Sequence, residues 1–253
     1  MTTQPIQPRA GVIYRGPSMI DGSPIVCVAT YTKSNSKTGA MLQTYILHAD
    51  ISPIDAIRAG TDAAVCGDCK HRGEPGIYST RSCYVNIGQG PTVVWRAMRR
   101  GSYAFAQPHL IGMGRMIRLG TYGDPAAVPD AVWANLLEFS EGHTGYTHQW
   151  RGERFAHLSR YCMASVDTPA EAIDARAAGW RTFRVRVNGT DPAMPYEFAC
   201  PASTEMGAKT TCQACKACNG NDTARRGNPM IIAHGALARR FAINQLNRKE
   251  VTA

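Results

Sequence analysis

Seven of the nine cysteines in this chain of 253 residues fall into two tight groups. The first is Cys66, Cys69 and Cys83, within VCGDCKHRGEPGIYSTRSCY. The second is Cys200, Cys212, Cys215 and Cys218, within FACPASTEMGAKTTCQACKAC. Cys27 and Cys162 stand apart. Thiolates this close in sequence are metal ligands or disulfide partners. The opening MTTQPIQPRAGVIYRGP is polar and proline-rich, unlike a charged-then-apolar leader, and a chain of this length needs no disulfide staples. A reducing, cytoplasmic setting is therefore expected, where paired cysteines mean metal or redox chemistry.

The fourth ligand decides which chemistry each group performs. Cys212, Cys215 and Cys218 are spaced two apart, and Cys200 is a remote fourth followed by Pro201. That is a pattern of four-iron clusters. The same four thiolates suit structural zinc, as do three of them with His234. In the first group, Cys66, Cys69, Cys83 and His71 can close a tetrahedral zinc site. The three thiolates alone would hold a four-iron cluster with one iron open to a small molecule. Iron–sulfur and zinc both stay open at each group.

Acids and arginines supply the remaining candidates. Asp124 lies in Gly123-Asp124-Pro125, a tight turn directly after an apolar stretch. The next helix begins later, at Pro129-Asp130, so Asp124 is expected not to cap it. Asp167 precedes PAEAIDARAAG, where it can cap a helix or serve as an acid or base. Basic residues are spread out: Arg96, Arg99 and Arg100 in one helix, Arg184 and Arg186 alternating on WRTFRVRV, then Arg225, Arg226, Arg239 and Arg240. Alternate barrel-strand residues point inward, so Arg184 and Arg186 are expected to line a phosphate site. The net charge of +9 favours a polyanionic partner, DNA or tRNA in the simplest case. No apolar run is long enough to cross a bilayer.

These residues must be positioned by alternating strands and helices. SPIVCVATYTK, MLQTYILHAD, RMIRLGTYG, GYTHQW, RYCMASVDT, WRTFRVRV, EFACP and MIIAHG read as strands. SPIDAIRAG, PTVVWRAMRRGSYAFA, AVWANLLEFSEG, PAEAIDARAAG and ALARRFAINQLNRKE read as helices. Repeated strand–helix–strand units imply a parallel sheet with its site at the carboxyl ends of the strands. The expected fold is a single α/β domain over residues 1–253. It is a TIM-like (β/α) barrel, closed or partly open, with two cysteine-rich metal loops and an extended arm over about residues 1–20.

The order of parts resembles two known groups. A strand, a cysteine loop, a helix and a strand ending in a Gly–acid–Pro turn is similar to the front half of radical S-adenosylmethionine enzymes. There, three cysteines hold a four-iron cluster and a Gly-Gly-Glu-Pro turn contacts the cofactor. Cys66, Cys69, Cys83, the neighbouring Tyr84 and Tyr122-Gly123-Asp124-Pro125 are the matching residues. The family gaps are three and two residues, against two and thirteen here. Cys-rich phage proteins of the gene-product-88 type share the layout and the Cys-Tyr pair. The second resemblance is to tRNA-guanine transglycosylases and phage relatives that place 7-deazaguanines in DNA. Their zinc set resembles Cys212, Cys215, Cys218 and His234. It implies an aspartate nucleophile, Asp124 or Asp167, that exchanges a guanine-type base. The expectation is a phage-encoded, metal-containing enzyme that modifies a base in nucleic acid. The alternatives are a radical-SAM-like iron–sulfur enzyme and a non-catalytic nucleic-acid-binding protein.

Overall fold

The apolar run Ile25–Ala29 is fully buried, which makes its strand an interior one. The computed structural model describes residues 7–187, 192–221 and 227–251. Two five-stranded sheets carry the fold. In the first, β1 (Ala10–Pro17), β2 (Pro24–Thr32) and β3 (Met41–His48) pair antiparallel, and β4 (Met116–Tyr122) and β5 (Gly142–Thr144) continue in parallel. In the second, β6 (Tyr146–Thr147), β7 (Met163–Val166) and β8 (Thr182–Arg186) run parallel. The chain then crosses to β9 (Glu197–Ala199) at the edge and returns as β10 (Asn228–Ile232) between β8 and β9. That crossover carries the second cysteine loop.

The two sheets meet at Gly145, the single residue between β5 and β6. A Cβ at this position would lie 2.8 Å from Cys162 Sγ and 3.0 Å from the Tyr161 carbonyl, so a side chain would push the junction off the start of β7.

Helices sit where caps and prolines indicate. α1 (Pro53–Ala59) is capped by Ser52, whose hydroxyl accepts from the Asp55 amide. It is followed by α2 (Ala63–Cys66), α3 (Gly90–Arg99), α4 (Pro108–Gly112) and α5 (Asp130–Leu137). α6 (Pro169–Ala177) is capped by Thr168, not by Asp167. α7 (Cys212–Cys215) is one turn long, and α8 (Ala238–Val251) follows β10. No described helix is long and apolar enough to cross a membrane.

Two expectations change. The outer strands β1 and β9 do not pair with each other, so no closed barrel forms among the described residues. Much of the expected N-terminal arm is β1, whose backbone pairs with β2 from Ala10 to Pro17.

Candidate functional site

Parallel strands from both sheets turn alternate side chains toward one space. Arg118, Gly120 and Tyr122 come from β4, Thr144 from β5, Tyr146 from β6, Ser165 from β7, Phe183 and Val185 from β8, and Ile231 from β10. They line a cavity of about 220 Å³. All seven clustered cysteines line the same cavity, although the two groups lie far apart in sequence. Phe241 and Leu237 of α8 and its approach cover one side.

Local chemistry fixes both loops. In the first, Arg72 donates to Asp62 at 2.8 Å and to the Gly67 and Gly60 carbonyls at 2.8 and 2.9 Å. This guanidinium ties the turn that presents Cys66 and Cys69. The Cys83 amide donates to the His71 carbonyl at 3.0 Å, which folds the far end of the loop back. In the second, the Thr211 hydroxyl caps α7. The Cys212 and Gln213 amides donate to the Lys37 and Thr38 carbonyls, docking the loop on the β2–β3 connection. The Cys200 amide donates to Met230 at 2.8 Å, extending the β9–β10 ladder.

The thiols repel charge within each group. Burial, then Cys69, Asp62 and Cys83, push the Cys66 thiol up. Burial, then Cys83, does the same to Cys69. Burial and the neighbouring Cys200, Cys212 and Cys215 raise Cys218 to about 12. Within each group, a nearby positive charge would favour the thiolate form. No disulfide joins any of the nine cysteines, and Cys27 and Cys162 are fully buried core residues.

Among the described residues, no three His, Cys, Asp or Glu side chains converge on the position of a single metal ion. The two histidine candidates also have other partners. His71 Nε2 lies 3.0 Å from Asp167 and Nδ1 lies 2.9 Å from the Ser82 hydroxyl. An ionised carboxylate only accepts, so Nε2–H donates to Asp167. His234 Nδ1 lies 2.9 Å from the Ile232 carbonyl and Nε2 lies 3.2 Å from Lys37 Nζ. Neither ring keeps an uncommitted nitrogen for zinc.

The aspartates separate in role. Asp167 is fully buried, does not line the cavity, and pairs with Lys70 at 2.8 Å as well as with His71. Burial works against its charge, but His71 and Lys70 outweigh burial and hold the carboxyl well below the usual range. It is a buried counter-ion behind the cavity wall, which argues against the expected nucleophile. Asp124 does line the cavity. As expected it does not cap α5, whose N-cap is Pro129; it caps instead the short 3-10 turn Pro125–Ala127. Its carboxylate accepts from the Ala126 amide at 2.9 Å, the Thr147 hydroxyl at 2.7 Å and the His148 amide at 2.8 Å. Burial pushes this carboxyl up to about 6, against the three donors. Gly123 before it has φ +82, and a Cβ would meet Ile46 Cβ at 2.7 Å, so the turn presses onto β3. Asp124→Asn must face one amide N–H with its own NH₂. Urea unfolding should show a loss of about 1–3 kcal/mol; wild-type stability would mean that the carboxylate is available for chemistry instead.

The arginine expectations are corrected. Phe183 and Val185 face the cavity, so Arg184 and Arg186 lie on the other face of β8. Arg184 is fully buried and makes a bidentate pair with Glu197 at 2.8 and 2.7 Å, which leaves it no phosphate role. Arg240 donates to the Tyr78 and Arg81 carbonyls at 2.9 and 3.2 Å, tying α8 to the first cysteine loop. Arg239 is exposed, and Arg225 and Arg226 lie outside the described residues.

Among the cavity residues that had escaped sequence reasoning are Lys37, Arg118, Tyr146 and His148. Arg118 donates to the Tyr84 hydroxyl at 3.0 Å and lies over the Tyr146 ring at 5.5 Å. Burial lowers its affinity for the proton, but Tyr84, Tyr146, Cys212 and Cys218 raise it further. Burial and the neighbouring His71 hold His148 down to about 3, so its ring is neutral. The period of two in Gly145-Tyr146-Thr147-His148 was the available signal for the last two residues. Comparison with protein-family models, curated proteins and solved structures finds no match to this chain, so the functional reading rests on this geometry.

Proposed function

We propose that this chain is an iron–sulfur redox enzyme acting on a small molecule inside a partly open (β/α) barrel. The convergence of seven reduced cysteines on one cavity carries the reading. Cys66, Cys69 and Cys83 would hold one four-iron cluster, and Cys200, Cys212, Cys215 and Cys218 a second. The donor set fits. Each thiolate of such a cluster binds a different iron, so the sulfurs need not converge on one ion. The mutual charge repulsion within each group is what bound iron would relieve. A bound cluster supplies single electrons, and the three-thiolate group leaves one iron without a protein thiolate.

The remaining residues hold and shield. Arg118 sets a permanent positive charge beside Cys212 and Cys218, which offsets the negative charge of thiolate-bound iron. Tyr122, Phe183 and Phe241 add aromatic surface to the cavity lining. S-adenosylmethionine has weaker support, because the Asp124 turn spends its carboxylate on its own backbone and on Thr147. Base exchange in DNA or tRNA is also less supported. Asp167 is a buried counter-ion and Arg184 a buried pair, which leaves chiefly the net charge of +9 in its favour.

Anaerobically purified protein should contain about eight iron atoms per chain and show a broad band near about 400 nm that bleaches on reduction. Colourless protein with stoichiometric zinc would overturn the proposal.

A further inference from the structure

Beside the cysteine cavity lies a second pocket of about 510 Å³. The two spaces share a wall made of Lys37, Tyr84, Val85, Arg118, Thr121 and His234. The second pocket has no Asp, Glu or Cys in its described lining. It is instead rimmed by amides and hydroxyls, among them Gln43, Asn86 and Gln89. Its two cations lack carboxylate partners among the described residues. Arg118 donates to the Tyr84 hydroxyl at 3.0 Å, and Lys37 meets His234 Nε2 at 3.2 Å. Every described carboxylate that pairs with a cation does so elsewhere, as at Asp62, Asp167 and Glu197.

A polar recess with two positive groups and no negative one carries an electrostatic preference for an anion. The planar guanidinium fork matches a carboxylate or a phosphate, and an ammonium adds a point charge. The exposed amides of Asn86 and Gln89 can bond the rest of a polar molecule without adding charge. Because the wall is shared, a ligand held by Arg118 borders the space lined by the cysteines.

We propose that this second pocket binds a small molecule through a carboxylate or phosphate held by Arg118 and Lys37. Its service as the substrate of the redox centre rests on the function proposed above; the binding itself does not. The test is calorimetric titration of the whole purified protein with two probes, succinate and inorganic phosphate, with iron counted in every sample. Wild type should bind at least one probe saturably, and the stronger arm distinguishes carboxylate from phosphate. Lys37→Ala, Arg118→Gln and Gln89→Glu should each weaken binding about tenfold or more. Gln89→Glu adds a charge to the pocket wall at an exposed position away from the cysteine cavity, so it decides the matter if Arg118→Gln loses iron or fails to fold. Saturable binding by anaerobically purified wild type that is found to hold no iron would sink the redox reading and leave the anion site standing. No saturable binding of either probe, or equal affinity in wild type, Lys37→Ala and Gln89→Glu, would overturn the site.

Discussion

Cys69→Ser should cut the iron content of anaerobically purified protein from about eight atoms per chain to about four. Cys215→Ser should do the same from the other side of the cavity, and the double variant should hold almost none. The two losses are expected to be independent because each group is built on its own loop. Cys66 responds to Cys69 and Cys83, and Cys69 responds to Cys83. Cys218 responds to Cys200, Cys212 and Cys215. The Arg72 clamp fixes the first loop, while the docking of Cys212 and Gln213 on the β2–β3 connection fixes the second. Iron analysis alongside the visible spectrum reads each loss separately. Unchanged iron in either single variant would remove that group from the proposed ligand set.

A comparably large effect is expected at Asp167, on stability. Asp167→Asn leaves His71 facing a neutral amide inside the protein, while Lys70 keeps Glu171 at 2.7 Å. Losing the buried carboxylate from this network should cost about 1–3 kcal/mol. The pH dependence has a definite sign. The folded carboxyl is held below its ordinary value of 3.8. Its stabilising contribution is therefore complete above that value and is lost as the pH falls through the lower, folded one. Urea unfolding at pH 7 should separate variant from wild type, and the gap should narrow below about pH 4. A variant as stable as wild type at pH 7 would show that Asp167 is not the counter-ion of this network.

Local signals in the chain were sound where they depended on neighbours in sequence. Ser52 and Pro53 start α1, and the apolar runs of β2, β3 and β4 became buried strands. The cysteine spacing marked both loops. Alternation on β8 correctly separated Arg184 and Arg186 from Phe183 and Val185. Period alone could not say which set faces the cavity, and the apolar set does. Asp167 was misread because its partners, Lys70 and His71, belong to a loop on another part of the chain. The meeting of the two cysteine groups was likewise invisible. It depends on β10 returning between β8 and β9, an order that no local pattern encodes.

The covering helix has a consequence for how the protein is made. Phe241 of α8 lines the cavity, Arg240 and Asn244 hold α8 to carbonyls of the first cysteine loop, and Gln245 holds it to the Asp167 carbonyl. All of these residues follow Cys218 in the chain. On the ribosome both cysteine loops therefore emerge before their lid, and at about 5–20 residues per second the interval lasts seconds. For the proposed clusters, that interval is when the thiols would be most open to iron delivery. Once α8 has docked it covers one side of the cavity, so first assembly and later repair of such a centre would face different barriers.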